Sequence, residues 1–177
     1  MYWPFPPNIQ KANIFLISKP RKPSTDPKSY RPISLLEPFS KLLEKIITYR
    51  LRNHMEGRQM NPNLYRFRPG KSTEPIKHLT LQYLDFYQNK HKKTVSVSLD
   101  VANAYDNVWH DCLIFKIFNH YNLPLLTKKL LSNFLSNRQY KIIHNNTYSK
   151  SFTSKAGVPQ GSVLSPLLYI LLTNDFP

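Results

Sequence analysis

The spacing of the apolar residues changes along this chain from a helical period to a strand-like one. Between residues 38 and 56, large apolar side chains recur at the spacing of one helix face, at Leu42, Leu43, Ile46, Ile47 and Leu51. Residues 94–100 instead alternate apolar and polar side chains, which is typical of a β-strand. Helical and strand-like segments intermingle without a regular β-α-β rhythm, so the sequence predicts an α+β fold.

The other segments follow the same rules. The sequence predicts a strand over residues 13–18 and a hairpin in which "QYKIIH" and "SKSFTSK" pair around "NNTY". Further helices are predicted over residues 74–88, 108–121 and 125–137, with a last one after Pro166. Residues 19–32 hold four prolines and five basic side chains and are predicted to form a loop. With 15 prolines against 4 glycines, the loops are expected to be stiff.

Positive charge is concentrated in the first half of the chain. The formal net charge is +15, and residues 1–95 alone carry 18 basic and 6 acidic side chains. Such an excess favours a polyanionic partner over a merely solvated basic surface. Nucleic acid is the first candidate and an anionic membrane the second. The basic residues form no single amphipathic stripe beside a large apolar face, which argues against a membrane partner.

The same composition bears on the compartment. The chain has one cysteine, Cys112, so it holds no internal disulfide. No apolar run reaches the length of a membrane span, and the first residues show no secretory signal. We therefore expect an intracellular protein, cytoplasmic or nuclear and not secreted.

The stretch "VSVSLDVANAYDNVWH" could carry chemistry. Its strand pattern ends at Asp100, so the carboxylate would stand where a rigid sheet can aim it at a ligand. Enzymes of phosphoryl transfer use such an aspartate to hold Mg²⁺, which prefers oxygen ligands. The alternative is that Asp100 only makes a turn. Asp106 is better explained as a cap for the helix that follows.

A second stretch, "GVPQGSVLSP", combines close backbone approach with a restrained side chain. Gly157 and Gly161 let the backbone approach a bound group, and Gln160 lies between a proline and a glycine. The alternative is a helix start capped by Ser162 or Ser165. The basic segments "SKPRK" and "SYRPISLL" can clamp phosphates or simply be solvated.

Taken in order, these stretches resemble the reverse transcriptase domain of non-LTR retrotransposons, most closely the jockey-type elements. "SKPRKPSTDPKSYRPISLLEPFSKLLEKIITYRL" resembles that family's fingers segment, and "FRPGKST" its next block. "SLDVANAYDNVWH" resembles the first palm motif, and "AGVPQGSVLSPLLYILLTNDFP" the second. The resemblance implies a right-hand polymerase, with residues 1–93 as a fingers-like segment and residues 94–177 as an incomplete palm.

The resemblance also implies roles for individual residues. Asp100 matches the catalytic, metal-binding aspartate, and the backbone carbonyl of Val101 would be a further metal ligand. Tyr105 matches the aromatic gate that blocks a ribose 2′-hydroxyl. The remaining matches are the residues of the nucleotide site and of the nucleic-acid contact: Lys19, Arg31, Gln160 and Gly161 for the nucleotide, and Arg68 and Lys71 for nucleic acid. Three positions depart from the family pattern, because Arg21 and Arg66 stand where glycine is usual and Asn103 stands where lysine is usual.

The function that the resemblance implies is RNA-directed DNA polymerisation with two Mg²⁺ ions in the intact parent. The implied partners are an RNA template, a DNA primer and deoxynucleoside triphosphates, with no membrane. The family's third palm motif carries a pair of aspartates, and no such pair occurs in this chain. We therefore expect the 177-residue chain alone to be inactive. The alternative is a catalytically dead retroelement remnant that acts at most as a nucleic-acid-binding module.

Overall fold

The strands of the described residues form one mixed five-stranded sheet. The computed structural model describes residues 10–56, 59–68 and 70–176. The strand order is β2-β1-β3-β4, and β5 also pairs with β3. The strands are β1 (Lys11–Ser18), β2 (Tyr30–Leu35), β3 (Gln139–His144), β4 (Thr147–Tyr148) and β5 (Phe152–Thr153).

The sheet joins the two ends of the sequence. Strand β1 pairs antiparallel with β2, with Phe15 opposite Ile33, and parallel with β3, with Ile14 opposite Ile142. Strands β3 and β4 form a hairpin in which Thr147–Tyr148, expected to lie in the turn, pair with β3. Both residues of its "NN" turn have positive φ, 48° and 59°, as a two-residue turn that matches the twist of a hairpin requires. The predicted strand over residues 13–18 is confirmed, and the predicted pairing of "QYKIIH" with "SKSFTSK" is confirmed through β5, with Tyr140 opposite Phe152.

Five α-helices occur in the described part of the chain, and each matches a helical segment of the sequence. Their ends differ from the expected ones by at most two residues. They are α1 (Pro38–Met55), α2 (Glu74–Asn89), α3 (His110–Asn119), α4 (Leu125–Leu135) and α5 (Ser165–Thr173). No helix of the described residues has the length and apolar character needed to cross a bilayer. These five helices and the mixed sheet together confirm the predicted α+β fold.

The loop predicted over residues 19–32 is partly wrong, because strand β2 already begins at Tyr30. Pro32 lies inside this strand, opposite Leu16. A proline is tolerated there because β2 is the edge strand of the sheet, so one backbone donor can be lost. Before the strand, Pro27–Ser29 makes one turn of 3₁₀ helix.

Helices α1, α3, α4 and α5 pack around one hydrophobic core. Its fully buried side chains come from all four helices and include Leu51, Met55, Leu113, Ile117, Leu131, Phe134, Leu167, Leu168 and Leu171. The buried face of α1 differs from the predicted one. Ile47 and Leu51 are buried, but Leu42 and Ile46 are 56% and 44% exposed. Instead of these two residues, the buried face of α1 includes the polar residues Ser40 and Glu44.

The predicted strand over residues 94–100 is wrong for this structure. No residue of the segment is in a strand, and Val95, Val97 and Leu99 are 86%, 77% and 82% exposed. Helix α2, which precedes it, has no buried residue either. A strand needs a neighbour for its backbone N–H and C=O groups. None of the described strands pairs with this segment, so the alternating pattern has no sheet to join.

Arg21 shows why one departure from the family pattern matters physically. Its φ is 61°, in the left-handed region, where a side chain costs roughly 1–2 kcal/mol and glycine has no such penalty. The Arg21→Gly variant is therefore expected to have a free energy of unfolding about 1 kcal/mol higher than that of Arg21→Ala. Urea unfolding measures the difference, and both variants remove the same charge. Equal stability of the two variants would contradict this account.

Candidate functional site

A cleft of about 660 Å³ brings together four residues that lie far apart in the sequence. It opens between the β1–β2 connection, the segment around Tyr105 and the loop before α5. Among its lining residues are Lys19, Arg31, Tyr105 and Gln160. These are four of the five residues that the sequence predicts for a nucleotide site. The fifth, Gly161, lines an adjoining cleft of about 270 Å³, which shares Tyr105 and Gln160 with the first.

The cleft is strongly basic. Besides Lys19 and Arg31, it is lined by Lys22 and Lys28, so four cations face one carboxylate, that of Asp106. A concave surface with one dominant sign of charge concentrates ligands of the opposite sign. Lys22 and Lys28 were not predicted as site residues, although the sequence already marks their loop as basic.

The basic loop is held in shape by its own hydrogen bonds. The Lys19 amide donates to the Ser29 carbonyl at 2.7 Å, and the Lys28 amide to the Asp26 carboxylate at 2.8 Å. The Tyr30 hydroxyl closes the loop by donating to the Ser24 carbonyl at 2.9 Å. The Lys19 ammonium donates a hydrogen bond to the Lys28 carbonyl at 2.8 Å. The lysines are thus presented from a fixed backbone.

Tyr105 forms an aromatic wall of the cleft. Its ring lies 5.8 Å from the ring of Tyr169 and 6.4 Å from that of Phe67, both in tilted contact. Its carbonyl accepts the Val158 amide at 2.8 Å, which ties the residue to the loop before α5. Burial raises the pKa of the Tyr105 hydroxyl, although the charge of Arg66 opposes this. The hydroxyl is therefore protonated at neutral pH and available as a donor.

The loop that carries Gln160 contacts the backbone on both sides. At one end, the Gly157 amide donates to the Val108 carbonyl at 2.8 Å, and His110 donates to the Gly157 carbonyl at 2.7 Å. At the other end, the Ser34 amide of β2 donates to the Gln160 carbonyl at 2.7 Å. These bonds fix the backbone from which the Gln160 side chain extends.

Both glycines of this loop allow a close approach, but to the backbone of the chain itself, whereas the approach to a bound group that the sequence suggests stays a prediction. Gly157 has φ of 83°, and a Cβ there would lie 2.8 Å from the Asp106 carbonyl oxygen. Gly161 has φ of 117°, and its Cβ would lie 2.7 Å from the Ser34 carbonyl oxygen. Any side chain at either position would collide with backbone.

Glu44 is a buried residue of this region that sequence reasoning missed. It is 0% exposed, and its Oε2 accepts the Ser162 hydroxyl at 2.6 Å and the Val163 amide at 2.8 Å. Burial lowers the pKa of the nearby Arg138 to about 10, and the charge of Glu44 opposes this fall. The available signal was the helical period of α1, which places Glu44 on the buried face with Ile47.

Asp100 and Val101, the predicted metal ligands, lie on the exposed segment before Tyr105. Among the described residues, no group of three or more His, Cys, Asp or Glu side chains is placed to hold a metal ion. One carboxylate and one carbonyl do not fit a two-ion centre, which needs oxygen ligands on both ions. The residues present therefore do not make a complete metal site.

The two residues predicted to contact nucleic acid differ in accessibility. The Arg68 guanidinium is buried, ion-paired with Glu56, and donates to the Asn61 and Leu64 carbonyls at 2.7 and 3.0 Å. These contacts indicate a role in holding the segment after α1. Lys71 is half-buried and donates to the Pro62 carbonyl at 2.7 Å. Binding of nucleic acid by either residue stays a prediction.

Comparison with known proteins shows the family to which the chain belongs. Residues 17–177 match the model of the family described as reverse transcriptase (RNA-dependent DNA polymerase). The chain belongs to the reverse transcriptase family. It is 41% identical over 175 residues to the probable RNA-directed DNA polymerase from transposon BS of Drosophila melanogaster, covering 98% of this chain.

Other reverse transcriptases are similar to the chain along nearly the same length. It is 39% identical to the probable RNA-directed DNA polymerase from transposon X-element of Drosophila melanogaster. It is 33% identical to the RNA-directed DNA polymerase from mobile element jockey of Drosophila funebris. These matches confirm the resemblance to the jockey-type elements. The chain spans 19% of the length of each of these three relatives.

The close approach of Gly161 gives a stability test for this reverse transcriptase chain. Gly161→Ala is expected to lower the free energy of unfolding by about 1–3 kcal/mol more than Gly70→Ala. Gly70 is the matched control, because it also has positive φ, 68°, but no atom would lie within 4 Å of its Cβ. Urea unfolding of both variants measures this. Equal losses would show that the contact with Ser34 carries no strain.

Proposed function

We propose that this chain is the nucleotide-binding part of an RNA-directed DNA polymerase, and that its basic cleft takes a deoxynucleoside triphosphate. One observation carries the proposal: residues from three separate sequence motifs line one cleft, namely Lys19 and Arg31 from the first, Tyr105 from the second and Gln160 from the third. The family membership and the names of the curated relatives support the same reaction.

The chemistry of the cleft suggests how the nucleotide is held. The cations of the basic loop and Arg31 would bind the triphosphate, because charge-assisted hydrogen bonds to phosphate are the strongest the site can offer. Tyr105 would pack against the sugar and exclude a 2′-hydroxyl. Gln160 would lie over the nucleotide, on a loop whose backbone is already fixed at Ser34 and Tyr105. These groups bind and orient the substrate.

We further propose the polymerase subdomains implied by the resemblance, with residues 1–93 as fingers and residues 94–177 as part of the palm. The exposed segment 94–101 would be a palm strand that forms only when a further strand pairs with it. Its alternating residues Val95, Val97 and Leu99, which are more than three-quarters exposed here, support this.

Asp100 and the Val101 carbonyl would supply part of a metal-ligand set. The family generally works with divalent metal ions, and two Mg²⁺ ions would assist nucleotide transfer in the whole polymerase. The described residues hold too few ligands for such a pair, so we assign to Asp100 only one place in a larger set. An RNA template and a DNA primer are the proposed nucleic-acid partners, supported by the net charge of +15.

The cleft can be tested by direct binding of dATP to the 177-residue chain. Arg31→Gln is expected to weaken dATP binding about tenfold, since a hydrogen bond to a charged group contributes about 1.5–3 kcal/mol. Lys45→Gln removes the same charge from the exposed face of α1 and should leave binding unchanged. Isothermal titration calorimetry measures both variants.

Deoxyadenosine, which lacks the phosphates, is expected to bind far more weakly than dATP. Equal losses in the Arg31 and Lys45 variants would mean that only the overall charge of the chain attracts dATP. The proposed cleft would then be rejected.

Catalysis is tested by primer extension on an RNA template. We expect no DNA synthesis by the 177-residue chain, and synthesis by a version extended with the segment that follows the matched region in the curated relatives. In the extended version, Tyr105→Ala should incorporate ribonucleotides, whereas Tyr105→Phe should keep the selectivity for deoxynucleotides. DNA synthesis by the shorter chain would contradict the partial ligand set.

A second candidate function is nucleic-acid binding without catalysis, as in a retroelement remnant. The observation that favours it is the incomplete metal-ligand set beside a strongly basic surface. It would be supported if the extended version binds RNA but neither it nor its variants extend a primer.

A further inference from the structure

A buried carboxylate links helix α1 to the loop that forms one wall of the cleft. Glu44 is 0% exposed, although a glutamate is rarely buried without partners. Its Oε2 accepts three donors from the loop before α5, namely the Ser162 hydroxyl at 2.6 Å, the Val163 amide at 2.8 Å and the Leu164 amide at 3.3 Å. These donors follow Gln160 and Gly161 directly in the sequence.

Glu44 accepts hydrogen bonds from the amides of Val163 and Leu164, which lie directly before α5. A negative charge near the N-terminus of a helix is favourable. Ser162 shares the task, because its hydroxyl oxygen accepts the Leu164 and Ser165 amides, both at 3.2 Å. Arg138 is buried nearby and interacts electrostatically with Glu44.

Three elements therefore fix the loop on three sides. Strand β2 holds the Gln160 carbonyl through Ser34, and the segment after Asp100 holds the Val158 amide through Tyr105. Helix α1 holds residues 162–164 through Glu44. The first two contacts are backbone to backbone and require no particular side chain, whereas the third depends on one carboxylate.

We propose that Glu44 is a positioning residue for the nucleotide cleft: it fixes the Gln160–Gly161 loop against α1 and so sets the affinity for the triphosphate substrate. This inference rests on the proposed nucleotide function of the cleft. Glu44 does not line the cleft, so its effect on binding passes through the loop.

The first test measures amide hydrogen exchange in the loop in the absence of nucleotide. In Glu44→Gln the volume is kept and the charge is lost, and amide hydrogen exchange at Val163 and Leu164 is expected to accelerate at least about tenfold. Ile47→Val is the matched control. Ile47 lies about one turn after Glu44 on the same buried face of α1, and its side chain forms no hydrogen bond with the loop. Exchange at the two amides should be unchanged in Ile47→Val.

The second test measures dATP binding by the same proteins. Glu44→Gln should raise the Kd for dATP about tenfold, and Ile47→Val should leave it unchanged. If Glu44→Gln does not fold, Ser162→Ala replaces it. That variant removes one donor to Glu44 and is expected to give a smaller change in the same direction in both exchange and Kd.

The outcomes separate the two proposals. A wild-type chain that does not bind dATP overturns the proposed function of the cleft. Wild-type binding together with an unchanged Kd in the variants overturns the positioning role of Glu44 alone, even if exchange accelerates. Accelerated exchange with a raised Kd, and neither effect in Ile47→Val, supports both.

Discussion

The backbone hydrogen bonds of the loop over residues 157–164 are the constraint on which the rest of the site depends. They join the loop to the segment after Asp100, to strand β2 and, through Glu44, to helix α1. Because interior backbone groups must find partners, the loop has little freedom to take another path. The cleft exists because this loop brings the basic β1–β2 connection and the Tyr105 wall to face each other.

Charge and shape are supplied by different parts of the chain. The β1–β2 connection contributes the cations, and its own hydrogen bonds keep the lysines at one edge of the cleft. The opposite wall contributes the aromatic ring of Tyr105 and the amide of Gln160. In the proposed nucleotide complex, the triphosphate would contact the first wall, and the sugar and base would contact the second.

Much of this arrangement could be predicted from the sequence, because local rules govern it. Helix periods, proline positions and the "NN" turn fixed most elements, and the motif order placed Tyr105 and Gln160 in one site. The absence of a strand over residues 94–100 could not be predicted from the sequence. An alternating pattern indicates which side chains share a face, but not whether a partner strand is present. The contacts of Glu44 could not be predicted for a related reason, since its carboxylate meets its donors only when α1 packs against the loop before α5. The intracellular location stays a prediction.

The parallel pairing of β1 with β3 has a consequence for how the chain folds. Strand β1 can pair with β2 early, since only the short basic connection separates them. The other edge of β1 can pair only after β3 has been synthesised, and β3 begins more than a hundred residues later, at Gln139. Contacts between such distant segments form slowly, because a long loop must close first. During synthesis on the ribosome, β1 therefore offers an unpaired edge for the whole time that the intervening helices emerge, and this interval is when another chain could pair with it.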